Sequence, residues 1–432
     1  MKFNVLDYCK SKNITSGLQA AIDDAAAVGG GMVIIPHGNY TSGTVELKSN
    51  VHLHLETGAV LYASQDIEDY PEIGFYHNEL AQVTSFMYGM GCSNIRIDGS
   101  GVIDLSGDSF YDFTKPEIPH YMKDIILPEH EAECTVSYDV RVKQPIFFHD
   151  CRDIKITGVT LRNSPCWTLT FSECEDINVS DISIYNSLNI PNCDGIHLCS
   201  CKNAIIKGCN IVSGDDCIAI TCITNWDKPC ENVTISDCIM TSCSKTISIG
   251  YSYSVVRNVV ISNCIIQRSN RGIAFMATSG IGLVENVCIS NCVIDTQIRA
   301  GNWWGNGEPI LLMATPHNVD RRYHADRHYK TSMKNIQFSN IICTSENLIG
   351  VVGVNDNIKD VVFRDITVQL KESKNKHLKG NIIDVSPSEN MSVIPDDGQH
   401  YIMLVENAQN IELLNVRGYG TNGENGEILK RS

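Results

Sequence analysis

The chain has 432 residues, 43% of them hydrophobic, and a formal net charge of -16 at pH 7, so it can bury a large core and carries an ordinary charged share for a globular protein. With no basic block to neutralise phosphates, a nucleic-acid partner is excluded. No run of about 18 apolar residues is present to span a bilayer, and the N-terminal MKFNVLDYCKSKNITSG is too polar for a signal peptide; no membrane partner and a cytoplasmic location are expected.

In chain order, the first clear element is a helix in ITSGLQAAIDDAAAVGGG, with Thr15 or Ser16 as its N-cap and the glycines from Gly29 to Gly31 as its stop. Residues 1–45 are expected to form a cap and first coil, closing one end of a repetitive body. From there one phrase recurs: DIKITGVTL from Asp153, DINVSDISI from Asp176, NAIIKGCNI from Asn203, NVTISDCIM from Asn232, NVVISNCII from Asn258 and NVCISNCVI from Asn286. Looser copies begin at Asn94, Asn335, Asp360 and Asn410. A period of roughly 23 to 29 residues with alternating apolar positions signals a solenoid of short strands. The expected fold is all-β: a single right-handed parallel β-helix over 1–432, with a short N-terminal capping helix.

Cys209, Cys238, Cys264 and Cys292 recur at one place in four successive copies. Stacked coils lie about 4.8 Å apart, which makes these thiols an interior ladder. The 19 cysteines lack paired CxxC motifs at zinc spacing and read as reduced, buried thiols, with no metal and no cofactor.

A second phrase comes after the first in each coil: CDGIHL, DDCIAI, SKTISI, NRGIAF and GEPILL. Their inward pairs are Ile196/Leu198, Ile218/Ile220, Ile247/Ile249, Ile273/Phe275 and Ile310/Leu312. Just before each pair, at one repeated position, stand Asp194, Asp216, Lys245, Arg271 and Glu308, and Trp167 precedes them in the same register. Stacking thus gathers carboxylates at one lip, with Asp215 beside Asp216. Like charges held so close push their pKa values apart, which is what acid/base cleavage of a glycosidic bond requires.

At these residues the chain resembles the polygalacturonase family, glycoside hydrolase family 28. The matching text is NSPCW (Asn163 to Trp167), NCDGI (Asn192 to Ile196) and SGDDCIAI (Ser213 to Ile220), with the opening GGGMVIIPHGNYTSGTVELKSNVHLHLETGAVLYAS. The resemblance implies single-displacement hydrolysis with inversion, Asp215 as general acid, and Asp194 and Asp216 positioning and deprotonating the attacking water. It implies no metal.

Two family motifs are altered. The histidine motif reads Ser244-Lys245-Thr246, and the R-I-K motif that grips a uronate reads Ala274-Phe275-Met276. Ordinary homogalacturonan is therefore not the expected substrate, because a buried sugar carboxylate without a cation is costly. Lys245 and Arg271 have two roles open to them: binding an acidic sugar from another direction, or counter-charging the carboxylates. Glu308 shares their ladder. His197 beside Asp194 is a candidate to bind a hydroxyl or tune a carboxyl. The insertion at 296–330 brings Trp303 and Trp304, aromatic faces suited to a sugar subsite. His317, His324 and His328 in it match no compact metal site. The expected partner is an oligosaccharide, cleaved from one end. Two rival readings are a polysaccharide lyase and a glycan-binding protein that has lost catalysis.

Overall fold

An Asn or Asp opens each copy of the repeated phrase, and the backbone there gives the reason. Asp176, Asn203, Asn232, Asn258 and Asn286 all have φ between 56 and 59°, a left-handed conformation that these two residue types tolerate best among those with a side chain. Their amides then stack: Asn232 donates to Asn203 at 3.0 Å, Asn258 to Asn232 at 3.1 Å, Asn286 to Asn258 at 3.1 Å and Asn335 to Asn286 at 2.8 Å. A second left-handed turn in each coil repeats the device, with Asn263 donating to Asp237, Asn291 to Asn263 and Asn340 to Asn291.

A computed structural model describes residues 1–316, 330–387 and 392–431. Between the turns run parallel strands, wound as a right-handed β-helix. One sheet of twelve described strands extends from Val45–Glu46 to Glu427–Arg431. In it Ile196 pairs with Ile218, Ile218 with Ile247, Ile247 with Ile273 and Ile273 with Ile310, the register expected from the second phrase. One buried core runs from Val5 to Val405. Cys209, Cys238, Cys264 and Cys292 stack inside it, and all 19 cysteines are free thiols. Contact with the Cys209 thiol, and burial after it, push Cys238 up to about 12, and the buried ladder serves as packing between the coils.

The sheets differ in a way that matters for the site. Strands such as Leu283–Thr296 alternate buried and exposed residues, whereas Ile196–Cys199, Ile218–Thr221 and Lys245–Gly250 are buried throughout. Their outer face is covered by loops.

The capping helix spans Thr15–Ala27 and buries Leu18, Ala21, Ile22 and Ala25 against the first coils. Neither expected cap residue holds its start. Ile14 occupies the cap position, and the Asn13 side chain accepts from the Thr15 N–H at 3.1 Å. The Thr15 hydroxyl instead accepts from the Gly43 N–H at 2.8 Å, tying helix to coil. A shorter helix, Val5–Tyr8, precedes it. No described helix is long and apolar enough to cross a membrane.

Candidate active site

The turn Gly214-Asp215-Asp216 joins Asn210–Ser213 to Ile218–Thr221. A Cβ on Gly214 would sit 2.4 Å from the Ile190 carbonyl oxygen, and one on Gly195 would sit 2.5 Å from that of Cys217. Both glycines are therefore demanded by close backbone approach, which draws the turns carrying Asp194 and Asp216 together. Gly195 N–H donates to the Asp216 carbonyl at 2.8 Å, and the Ser242 hydroxyl donates to the Asp215 carbonyl at 2.7 Å.

Above these turns lies a cavity of about 250 Å³, with Asp194, Asp215, Asp216, Lys245, His197 and Trp167 in its lining. Three segments wall it. The hairpin Glu72–His77/Ala81–Thr84 contributes Glu79, the excursion after Phe110 contributes Glu117 and Thr135, and the loop after Thr296 contributes Asn302, Trp303 and Trp304. The last two walls are fastened to each other: Trp303 Nε1 donates to the Glu133 carbonyl at 2.7 Å, and Ala300 N–H to the Glu133 carboxylate at 3.1 Å.

The ladder of charges resolves into two ion pairs. Lys245 Nζ lies 3.0 Å from Asp216 Oδ1, an ion pair off the hydrogen-bonding line, and also 4.7 Å above the Trp304 ring. Arg271 Nε donates to Glu308 Oε2 at 3.3 Å. Asp194 has a histidine as its partner instead. Its Oδ2 is 3.0 Å from His197 Nδ1, and His197 Nε2 is 3.0 Å from Thr221 Oγ1.

Electrostatics follow from this pairing. Burial first, then the charges of Asp215 and Asp216, drive Asp194 well above the usual carboxylate range. Burial holds His197 well below its ordinary value, with His77 and Lys245 adding to the effect. His197 is thus neutral at pH 7, and Asp194 is driven toward its protonated form. Because the Thr221 hydroxyl donates to Cys199 Sγ, it accepts from His197 Nε2–H, which leaves Nδ1 to accept the Asp194 proton. Asp216 is raised to about 7: burial and Asp215 push it up while Lys245 pulls it down. Burial alone would lower Lys245, yet Asp216 and Asp215 hold it above its ordinary value. The cavity therefore contains one carboxyl driven toward its protonated form beside a neutral imidazole and one that changes state near neutrality.

Two expected substrate contacts have a different place. Arg271 and Glu308 are both 0% exposed. Glu308 accepts from the Asn306 and Asp384 N–H groups at 2.8 Å each, and Arg271 donates to the Asp384 carbonyl. They lock the tryptophan loop to the helix from beneath, because two like cations stacked in register, Lys245 and Arg271, each need an acid on their far side. Trp303 is nearly buried and Trp304 half-buried, so the loop is a wall with one indole face already held by Lys245. Trp167 packs on His197 with ring centroids 3.9 Å apart and the planes tilted by 31°. His317, His324 and His328 lie outside the described residues.

Glu79, Glu117, Tyr251 and Asn302 also line the cavity, and sequence reasoning did not find them. Nor did it find Arg141, which donates to the Pro191 carbonyl at 2.6 Å and Asn192 Oδ1 at 2.9 Å and so fixes a lining residue. No periodic signal marks Glu79, Glu117, Arg141 and Asn302, which sit in excursions outside the repeat, and Tyr251 lies in the short turn just past the strand Lys245–Gly250. Among the described residues, the group with ligand atoms close enough for a metal is His52, His54 and Asp98 on the outer face of the early coils. There Asp98 Oδ1 lies 2.7 and 2.6 Å from the two imidazoles. None of the three lines the cavity.

The family description "Glycosyl hydrolases family 28" matches residues 27–372. A probable polygalacturonase of Vitis vinifera is 25% identical over 411 residues, covering 89% of this chain and 78% of that protein. An exo-poly-alpha-D-galacturonosidase of Dickeya chrysanthemi is 27% identical over 234 residues, covering 47% of this chain and 38% of that one. The solved hyperthermoactive exopolygalacturonase from Thermotoga maritima shares the fold, with a TM-score of 0.68 at 19% identity over 100% of this chain and 92% of its own.

Proposed function

The chain belongs to glycosyl hydrolases family 28 and is a glycoside hydrolase, and from that premise we propose that it trims short pectin-derived oligosaccharides from one end, with inversion. The observation that carries the reading is the convergence of Asp194, Asp215 and Asp216 on one cavity closed by three walls. A walled cavity accepts a chain end and obstructs a continuing polymer.

In this reading Asp215 protonates the leaving glycosidic oxygen as the bond to the anomeric carbon breaks. Water attacks that carbon from the opposite face and gives its proton to Asp216, whose charge Lys245 balances. Asp194 keeps its own proton on His197 and orients the water with its other oxygen. Asp216 then releases its proton to solvent and Asp215 regains one, which restores the starting state.

The test is Asp215→Asn assayed on defined oligosaccharides, with NMR following the anomer first released. Turnover is expected to fall by about 10³-fold, within the usual range for a general acid, with binding retained. Turnover comparable to that of the native protein, or retention of configuration, would overturn the assignment.

A further inference from the structure

Away from the cavity, His52 and His54 take alternate positions of the strand Val51–Leu55 and project from its outer side, while Leu53 between them lies in the core. Asp98 is the in-register partner of His54 on the strand Ser93–Gly99, one coil further on. A single oxygen, Asp98 Oδ1, meets both rings: His54 Nδ1 lies 2.6 Å from it and His52 Nε2 2.7 Å. The two imidazoles stand at 85° to each other, so their nitrogens converge and their faces do not stack. His54 Nδ1 reaches the oxygen in hydrogen-bonding geometry. His52 Nε2 does not, and it is sequestered from solvent with no hydrogen-bond partner among the described residues. Arg96, in register with His52, directs its Nη2 to Asn94 and Asp153 instead.

A cation between the three atoms would engage the nitrogen that hydrogen bonding leaves out. Two imidazole nitrogens and a carboxylate oxygen suit a borderline-soft ion such as Zn²⁺, whereas Mg²⁺ and Ca²⁺ call for oxygen ligands. A tetrahedral zinc with ligands at about 2.0–2.1 Å spaces them roughly 3.3 Å apart, so the carboxylate has to draw back by roughly 0.6 Å. That is a small rotation for a side chain 32% exposed. We propose that His52, His54 and Asp98 bind a divalent ion of the zinc class, with water completing its coordination, as a brace between these two coils. The expectation of no metal came from the cysteine spacing and the cavity motifs, and neither reaches this outer face. The chain between the two strands carries the hairpin Glu72–His77/Ala81–Thr84 that walls the cavity, so the brace fixes the base from which that wall rises. Neither the ion nor its test depends on the hydrolase reading.

Zinc, magnesium and calcium chlorides are titrated calorimetrically at pH 7 into the native chain, into His52→Ala/His54→Ala and into Asp98→Asn, with thermal melts alongside. Other histidines and thiols of the chain can also take zinc, so the reading is the difference between the proteins. The native chain is expected to hold one zinc equivalent at least about 100-fold more tightly than the double variant does, and to prefer zinc over magnesium or calcium by at least the same factor. Asp98→Asn, which keeps the side chain's shape, should lose at least about tenfold, and it carries the test if the double variant fails to fold. At free zinc a hundred times its Kd, the native Tm should rise by about 3 °C, with no such rise in the double variant. A native chain that takes up no zinc, equal zinc affinity and equal melting shifts in native and variant proteins, or tighter binding of magnesium or calcium than of zinc would overturn the proposal.

Discussion

Replacing Lys245 by methionine keeps the side chain's length and removes its charge from beside Asp216. At 3.0 Å and an effective dielectric constant of about 20, the attraction is ~5.5 kcal/mol. Relaxation and water entry reduce that; half of it, ~2.7 kcal/mol, corresponds to about 2 pK units. Asp216 stands at about 7 with the lysine present, and Lys245 lowers it, so the variant should titrate near ~9. A base must be ionised to accept the water's proton. Hence kcat/KM at pH 7, where the native base is half ionised, should drop by about 50-fold and recover as the pH is raised. The assay is a pH profile of kcat/KM for both proteins: the acidic limb near 7 should move up by about two units. A loss of equal size at every pH, or an unmoved limb, would refute the argument. Stability gives an independent reading of the same group. The folded value of Asp216 lies above its unfolded one, so its protonation favours the fold at low pH, and that contribution fades as the pH rises through about 7. Without the lysine the fade should run on to higher pH, as thermal melts across pH 5 to 9 would show.

Arg271→Met leaves the buried Glu308 and Asp384 carboxylates without their cation, at a cost of ~3–5 kcal/mol, to be read from urea unfolding. Burial already raises Glu308, so part of the loss should be regained as the pH falls and it protonates. Unchanged stability with lost sugar affinity would return Arg271 to the substrate. At the turn, Asn258→Ala removes a residue suited to a φ of 59° together with its ladder bonds to Asn232 and Asn286. We expect ~1–2 kcal/mol of destabilisation, and less for Asn258→Gly, which keeps the left-handed backbone. Equal effects from the two would show that the ladder alone matters.

Much of the fold was legible because a stacked coil repeats its constraints in the sequence. Each left-handed turn selects Asn or Asp, and each inward strand position selects a branched apolar residue. The register of the second phrase could therefore be read by aligning text, and the pairing of Ile196, Ile218, Ile247, Ile273 and Ile310 agrees with it. The same alignment placed Asp194, Asp216 and Lys245 on one ladder beside a cavity.

The sequence by itself thus determined the solenoid, its register and the row of charges, since all three depend on spacing along a periodic chain. Only the tertiary structure decided which of those charges face the cavity. Arg271 and Glu308 share the ladder with the catalytic candidates, yet Asp384, more than seventy positions further on, draws them into a sealed network. Glu79, Glu117 and Glu133 shape the cavity from excursions that obey no repeat. Burial, and with it the pKa of every carboxyl in the site, is set by what folds over a residue from elsewhere in the chain, and periodic spacing carries no record of that.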